Sequence, residues 1–225
     1  APDLAAATRF DDASAHLERL VRENVVGGKA YRALLVRLTA QGVGEAALDD
    51  VHVVGWCVEL MQAMCLVADD IMDQSETRRG KACWFRQVGT ACAVNDALLL
   101  YSGAYRALAA HFGPGSTFDK LARLFFDTAM QTCVGQMLDT FSEGSQELAT
   151  AERYAAIVKY KTSIYTFYSP LAAGVILARV EDEAALLRAA HAAGPLAFPS
   201  TMTISAIWCA LVKMELSSTA ATDAQ

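Results

Sequence analysis

With 225 residues, 54% of them hydrophobic and only 20% charged, the chain carries enough apolar material for one large domain or two small ones. A formal net charge of −6 argues against broad nucleic-acid binding and leaves positive charge to act locally. Six cysteines (57, 65, 83, 92, 133 and 209) form no C-x-x-C pair and read as buried free thiols of a reducing compartment.

In chain order, Phe10, Ala13, Leu17, Leu20 and Val21 recur at helical spacing, with Asp11 and Asp12 near the start and Gly27-Gly28 as the stop. A second helix spans roughly 29–40 and breaks at Gln41-Gly42-Val43-Gly44. Lys29 and Arg32 then sit one turn apart just inside its start. Cations oppose the helix dipole there, and a bound anion would relieve the mismatch; a solvated helix start is the competing reading. The third helix runs from about 48 to 73. Its apolar stretch 51–68 has membrane-span length, but His52, Gly55, Glu59 and Gln62 within it favour a buried bundle helix over a transmembrane segment. Asp49-Asp50 reads as its N-cap.

Further helices are expected over 90–111, 117–142, 150–168 and 171–192, with a break at Gly113-Pro114-Gly115. No run of alternating strands and no internal repeat occurs, so the fold class is all-α. Composition changes after Gly194-Pro195. Residues 1–194 read as one helical domain and 195–225 as a divergent tail, disordered over its last ten residues. No basic leader with an apolar core precedes the first helix, which points to the cytoplasm without specifying against an organelle.

Asp69-Asp70-Ile71-Met72-Asp73, closing the long apolar helix, is wrong for packing and right for metal. Asp69 and Asp73 share a helix face with Asp70 beside them, and their repulsion is relieved by divalent cations between them. Hard oxygen ligands point to Mg²⁺, which shares its shell with phosphate oxygens. Arg78-Arg79 then supplies guanidinium forks for that phosphate. Stepping back from Asp73 along one face gives Asp69, Cys65 and Gln62, which suggests a lined cavity. A satisfied core amide and an exposed acidic helix end are the competing reading. Gln136 with Asp139, and the cationic run Lys159–Thr162, lie in helical patterns that also suit ordinary surface. The histidines (16, 52, 111, 191) show no zinc spacing and are taken as structural. No Ser or Cys has a legible triad partner.

Six segments, in order, resemble the trans-isoprenyl diphosphate synthases, specifically the farnesyl diphosphate synthases. They are GGKAYR (27–32), ELMQA (59–63), LVADDIMDQSETRRGKACWF (66–85), NDALLL (95–100), GQMLD (135–139) and IVKYKTSIYTFYSPL (157–171). The resemblance implies an all-helical bundle around a deep central cavity, usually homodimeric, that joins isopentenyl diphosphate to an allylic diphosphate. It assigns Mg²⁺ to Asp69, Asp70 and Asp73, and allylic-side contacts to Arg78, Asp139 and Lys161. Lys29, Arg32, Gln62 and Arg79 would hold the isopentenyl diphosphate, while Thr162, Tyr165 and Gln136 line the reacting centre.

Two departures accompany it. The family's second aspartate-rich motif and its downstream G-K-x-G-T are missing, and the similarity ends near His191–Gly194. Reading from the third base of Met202 forces an aspartate codon, and the same frame permits Gly-Lys-x-Gly-Thr over 211–216. A truncated or frame-shifted tail is therefore expected, although the last aspartate of the motif is not encodable opposite Ser205-Ala206. Met64 and Cys65 stand where farnesyl-making relatives carry aromatic rings, so products longer than C15 are expected. The alternatives are a catalytically impaired diphosphate-binding subunit that partners a complete synthase, and a class I terpene cyclase.

Overall fold

The computed structural model describes residues 10–196. The tail expected from residue 195 lies outside them except for Pro195 and Leu196, which end the last helix; its frame-shift reading and Cys209 lie outside too. The described chain is all-α apart from one two-stranded hairpin. Helix α1 covers Asp11–Asn24, α2 Tyr31–Val43 and α3 Leu48–Met72. Strands β1 (Thr77–Arg78) and β2 (Lys81–Ala82) follow, then α4 (Trp84–Val88), α5 (Thr90–Phe112) and α6 (Ser116–Ser142). Helix α7 (Ala151–Ile157) runs into a π-helix, Val158–Tyr168, which leads to α8 (Ser169–Ala178) and α9 (Glu183–Leu196).

These residues form two compact units. The first holds the described residues up to Ala30 together with Glu59–Ala104; the second holds Tyr31–Val58 and those from Tyr105 on. In the first, Leu20 and Val25 pack with Ala63 and Val67 of α3, with Trp84 and Phe85 of α4, and with Ala93, Ala97 and Leu100 of α5. In the second, α8 is buried along its whole length. Gly174 lets it cross α2 closely, since a Cβ there would stand 2.6 Å from Thr39 Cβ. Leu171 and Val175 share that core with Leu35, Phe167, Leu186 and Ala190.

Helix α3 is long and apolar enough to cross a membrane by length and composition, yet half of its apolar window is buried inside the protein. Glu59 lies within that helix and is buried too, an arrangement typical of a core helix. Asp49 and Asp50 stand in its first turn rather than at the N-cap. There they complement the helix dipole, and Asp50 also accepts a 2.7 Å hydrogen bond from His111.

Three local features depart from the helical periodicity. The helix expected over 171–192 is two: Arg179 adopts a left-handed conformation (φ +51°) that ends α8, and Asp182 restarts the chain by accepting from the Ala185 amide at 3.2 Å. The stretch expected as α-helix to 168 widens into the π-helix, which shifts side chains away from their 3.6-residue positions. The RRG segment folds as a hairpin, pairing Thr77 with Ala82 and Arg78 with Lys81. Of the described cysteines, none forms a disulfide; Cys57 and Cys83 are buried, Cys65 and Cys92 are partly buried, and Cys133 is exposed, contrary to expectation.

Candidate functional site

The aspartates occupy the last turn of α3, and their presentation depends on how that helix stops. Gln74 turns left-handed (φ +51°), the Ser75 amide reaches back to the Asp70 carbonyl at 3.0 Å, and the Gln74 amide donates to the Ile71 carbonyl. This is a Schellman closure, with glutamine where glycine is usual. Arg86 secures it by donating to the Ser75 carbonyl (2.8 Å) and the Gln74 carbonyl (2.9 Å). A guanidinium at this end also offsets the negative pole of the helix. No motif in the sequence signals Arg86.

The three carboxylates differ in surroundings. Asp73 is exposed, Asp69 partly buried and Asp70 buried. Asp70 accepts from Arg78 Nε at 3.0 Å and from Nη2 at 2.5 Å, while Asp69 accepts from Nη2 at 3.1 Å. The Asp70 hydrogen bond, reinforced by both negative charges, raises the already high proton affinity of Arg78. Burial, together with the Asp70 carboxylate, pushes the Cys83 thiol up to about 11. Asp70 is thus committed to Arg78 and Cys83. Asp69 and Asp73 lie one turn apart on one helix face, and Asp69 shares the Arg78 guanidinium with Asp70.

Hairpin geometry separates the two arginines. Arg79 (φ +53°) and Gly80 (φ +78°) form its two-residue turn with both φ positive, as tight hairpins require. A non-glycine residue in that region is strained, which is typical of functional positions. Arg78, in the strand, reaches the aspartates. Arg79, in the turn, lies against the backbone of Gly28, where a Cβ would stand 2.9 Å from Nη2. It also donates to the Val26 carbonyl at 3.4 Å.

Below this hairpin lies a cleft of about 280 Å³, lined among others by Arg22, Gly27, Asp70, Arg78, Arg79 and Lys81. Four cations face it against the carboxylates of Asp70 and Glu23. Glu23 is held below the usual carboxylate range by its bond from Arg19. Arg22 and Lys81 escaped the sequence reading: Lys81 follows the Arg78-Arg79-Gly80 segment, but nothing marks Arg22. Lys29 is exposed and precedes α2 instead of lying inside it, because Ala30 turns left-handed (φ +47°). The Oε1 atom of Gln62 is buried without a hydrogen-bond donor among the described residues.

The second unit brings together another set. Lys161 Nζ donates to Asp139 at 2.5 Å, and Gln136 carries a buried Nε2 with no acceptor among the described residues. Thr162 and Tyr165 are partly buried on the π-helix. Arg32 is buried here too, stacked 4.7 Å from the Tyr165 ring centroid and donating to Thr166 Oγ1 at 2.8 Å. The guanidinium is thus held by aromatic and hydroxyl partners of its own unit.

Met64 and Cys65 are both partly buried. Met64 packs against the core of the first unit, next to Ala63 and Val67.

The polyprenyl synthetase family model matches residues 14–198. Farnesyl pyrophosphate synthase of Rattus norvegicus is 42% identical over 183 residues, 76% of this chain and 52% of that protein. The Saccharomyces cerevisiae farnesyl pyrophosphate synthase is 36% identical over 187 residues, 77% of this chain and 53% of its own. Among solved structures, the crystal structure of T. brucei farnesyl diphosphate synthase superposes with a TM-score of 0.75 at 32% identity. It covers 82% of this chain and 60% of that one. The chain spans about half the length of the curated relatives it matches. These likenesses do not favour the silent-subunit or cyclase alternatives.

Proposed function

We propose that this chain, which belongs to the polyprenyl synthetase family, is a farnesyl diphosphate synthase-like prenyltransferase that joins isopentenyl diphosphate to dimethylallyl or geranyl diphosphate. The observation that carries this reading is the divided arginine pair: Arg78 sits on the aspartates while Arg79 faces the Gly27-Gly28 turn. One hairpin thereby serves two anions.

The oxygen donors of Asp69 and Asp73 fit a hard divalent cation, assigned as Mg²⁺, which when bound would offset charge on the departing diphosphate. Arg78, held by Asp70, stabilises the same leaving group as the allylic C–O bond breaks and its electron pair goes to oxygen. Lys161, oriented by Asp139, adds a further cation. Arg79 and Lys29 hold the isopentenyl diphosphate, with Lys81 and Arg22 adding positive charge to the cleft. Gln62, whose buried Oε1 has no donor among the described residues, and Arg32 are assigned to the same diphosphate. Gln136, Thr162 and Tyr165 line the reacting centre, where apolar surroundings keep water from the allylic cation. The isopentenyl double bond attacks that cation, and a proton passes from the new cation to the departed diphosphate to complete the step.

Cys65, one turn before Asp69, and the adjacent Met64 form the floor below a growing prenyl tail, so products longer than C15 are included. A homodimer is the proposed assembly. Phe126, Met130, Val134, Met137 and Phe141 recur on one face of α6 and are exposed in the single chain, a patch suited to an isologous partner. The free thiols support cytoplasmic residence.

The test is transfer of labelled isopentenyl diphosphate to geranyl diphosphate, together with Mg²⁺-dependent binding of a non-hydrolysable diphosphate mimic. Both should be lost in Asp69→Ala. Mimic binding that ignores both Mg²⁺ and Asp69 would refute the assignment.

A further inference from the structure

In the first unit, away from the aspartates, three side chains of different chemistry converge. His16 of α1 places Nε2 at 2.9 Å from both carboxylate oxygens of Asp96 on α5. Cys92, one turn before Asp96 on the same helix face, holds Sγ at 3.7 Å from His16 Nε2 and 3.7 Å from Asp96 Oδ2. One ligand atom from each lies within 4.8 Å of the others. A tetrahedral zinc ion with ordinary Zn–S, Zn–N and Zn–O lengths separates its ligand atoms by about 3.4–3.6 Å. The two contacts to sulfur already match that spacing, and the histidine–carboxylate contact has only to open by about half an ångström.

Charge and orientation favour the same conclusion. The Asp96 side chain is 1% exposed, and among the described residues no lysine or arginine pairs with it. Its partners are His16, the Cys92 thiol and the Trp84 indole N–H, which donates to Oδ2 at 2.7 Å. A buried carboxylate without a permanent cation is costly. The Trp84 hydrogen bond is of the kind that orients a metal-ligating carboxylate. His16 is 30% exposed, which leaves one side open for entry and for water as a fourth ligand.

We propose that His16, Cys92 and Asp96 form a second cation site, for a borderline divalent ion of the Zn²⁺ type, that ties α1 to α5 beside the cationic cleft. The aspartate pair, all oxygen, selects a hard ion; this set, with sulfur and imidazole, selects a softer one. Trp84 links the two, because it orients Asp96 and also lines the cleft.

The test uses the full chain, stripped with a chelator and held in excess Mg²⁺ to saturate the aspartates. Zn²⁺ is titrated against a chromophoric chelator, and Co²⁺ is followed by its absorption. We expect one tightly held Zn²⁺ per chain and a sulfur-to-cobalt charge-transfer band. Cys92→Ser should abolish the band, His16→Ala should weaken Zn²⁺ binding about 100-fold or more, and Trp84→Phe should weaken it about tenfold. Cys133→Ser and Asp69→Ala should leave the band intact. Circular dichroism establishes that each variant is folded. Failure of the folded wild-type chain to take up Zn²⁺, or a band that survives Cys92→Ser, would overturn the proposal and leave a simple histidine–aspartate pair.

Discussion

Gly135 of α6 and Lys161 of the π-helix meet backbone to backbone: a Cβ on Gly135 would overlap the Lys161 nitrogen. The neighbouring atoms are main chain and have no rotamer to change. The contact also sets the reach between Lys161 and Asp139, one turn beyond Gly135. Gly135→Ala is therefore expected to cost about 1–3 kcal/mol of stability through overpacking. Denaturant unfolding of the variant measures that cost. Affinity for an allylic diphosphate should fall with it, as Lys161 is pushed from its place.

Gly28→Ala provides the contrast. The atoms nearest to its Cβ belong to the tip of the Arg79 side chain, which has rotamers with which to swing away. Stability should change by no more than about 0.5 kcal/mol. The Michaelis constant for isopentenyl diphosphate should nevertheless rise several-fold, with that for the allylic substrate little changed. Equal effects on both substrates would contradict the division between Arg78 and Arg79.

Asp70 and Asp73 should behave differently when neutralised. Asp73→Asn removes a donor from the metal-facing pair, so the Mg²⁺ concentration for half-maximal mimic binding should rise at least about tenfold. Asp70→Asn keeps both of those carboxylates but leaves Arg78 with Asp69 as its one charged partner among the described residues. Its Mg²⁺ requirement should hold while mimic affinity falls and stability drops by about 1–2 kcal/mol. Titrating Mg²⁺ at fixed mimic concentration separates the two.

Product length tests the floor below the aspartates. Cys65→Phe should shorten the products toward C15, as a ring one turn below Asp69 blocks the descending tail. Chromatography of the dephosphorylated products gives the distribution. A wild-type chain that makes only C15 would remove the basis for this reading.

Met130 is the most exposed of the α6 stripe, at 69%. Met130→Asp places a charge in the middle of the proposed interface. Sedimentation should show a dimer for the wild-type chain and a monomer for the variant. Folding of the single chain should persist, since most of Met130 is exposed.

Much of this protein follows from local sequence. Apolar spacing and the glycine stops are short-range signals, so most helices could be drawn from them, and the aspartates, the arginine pair and Gln62 belong to contiguous motifs. What local sequence does not carry is backbone conformation that only packing imposes: the left-handed Arg79 and Arg179, the widened turns at 158–168, and Ala30, which moves Lys29 out of its helix. Nor does it carry direction. Asp70 and Asp73 are equivalent as letters, yet the hairpin claims one for Arg78 and leaves the other exposed. His16 and Asp96 lie 80 residues apart, beyond any spacing rule, and only the packing of α1 against α5 brings them within bonding distance. Side-chain chemistry is a property of the residue, but which groups share a site depends on burial and helix crossing, which tertiary structure decides.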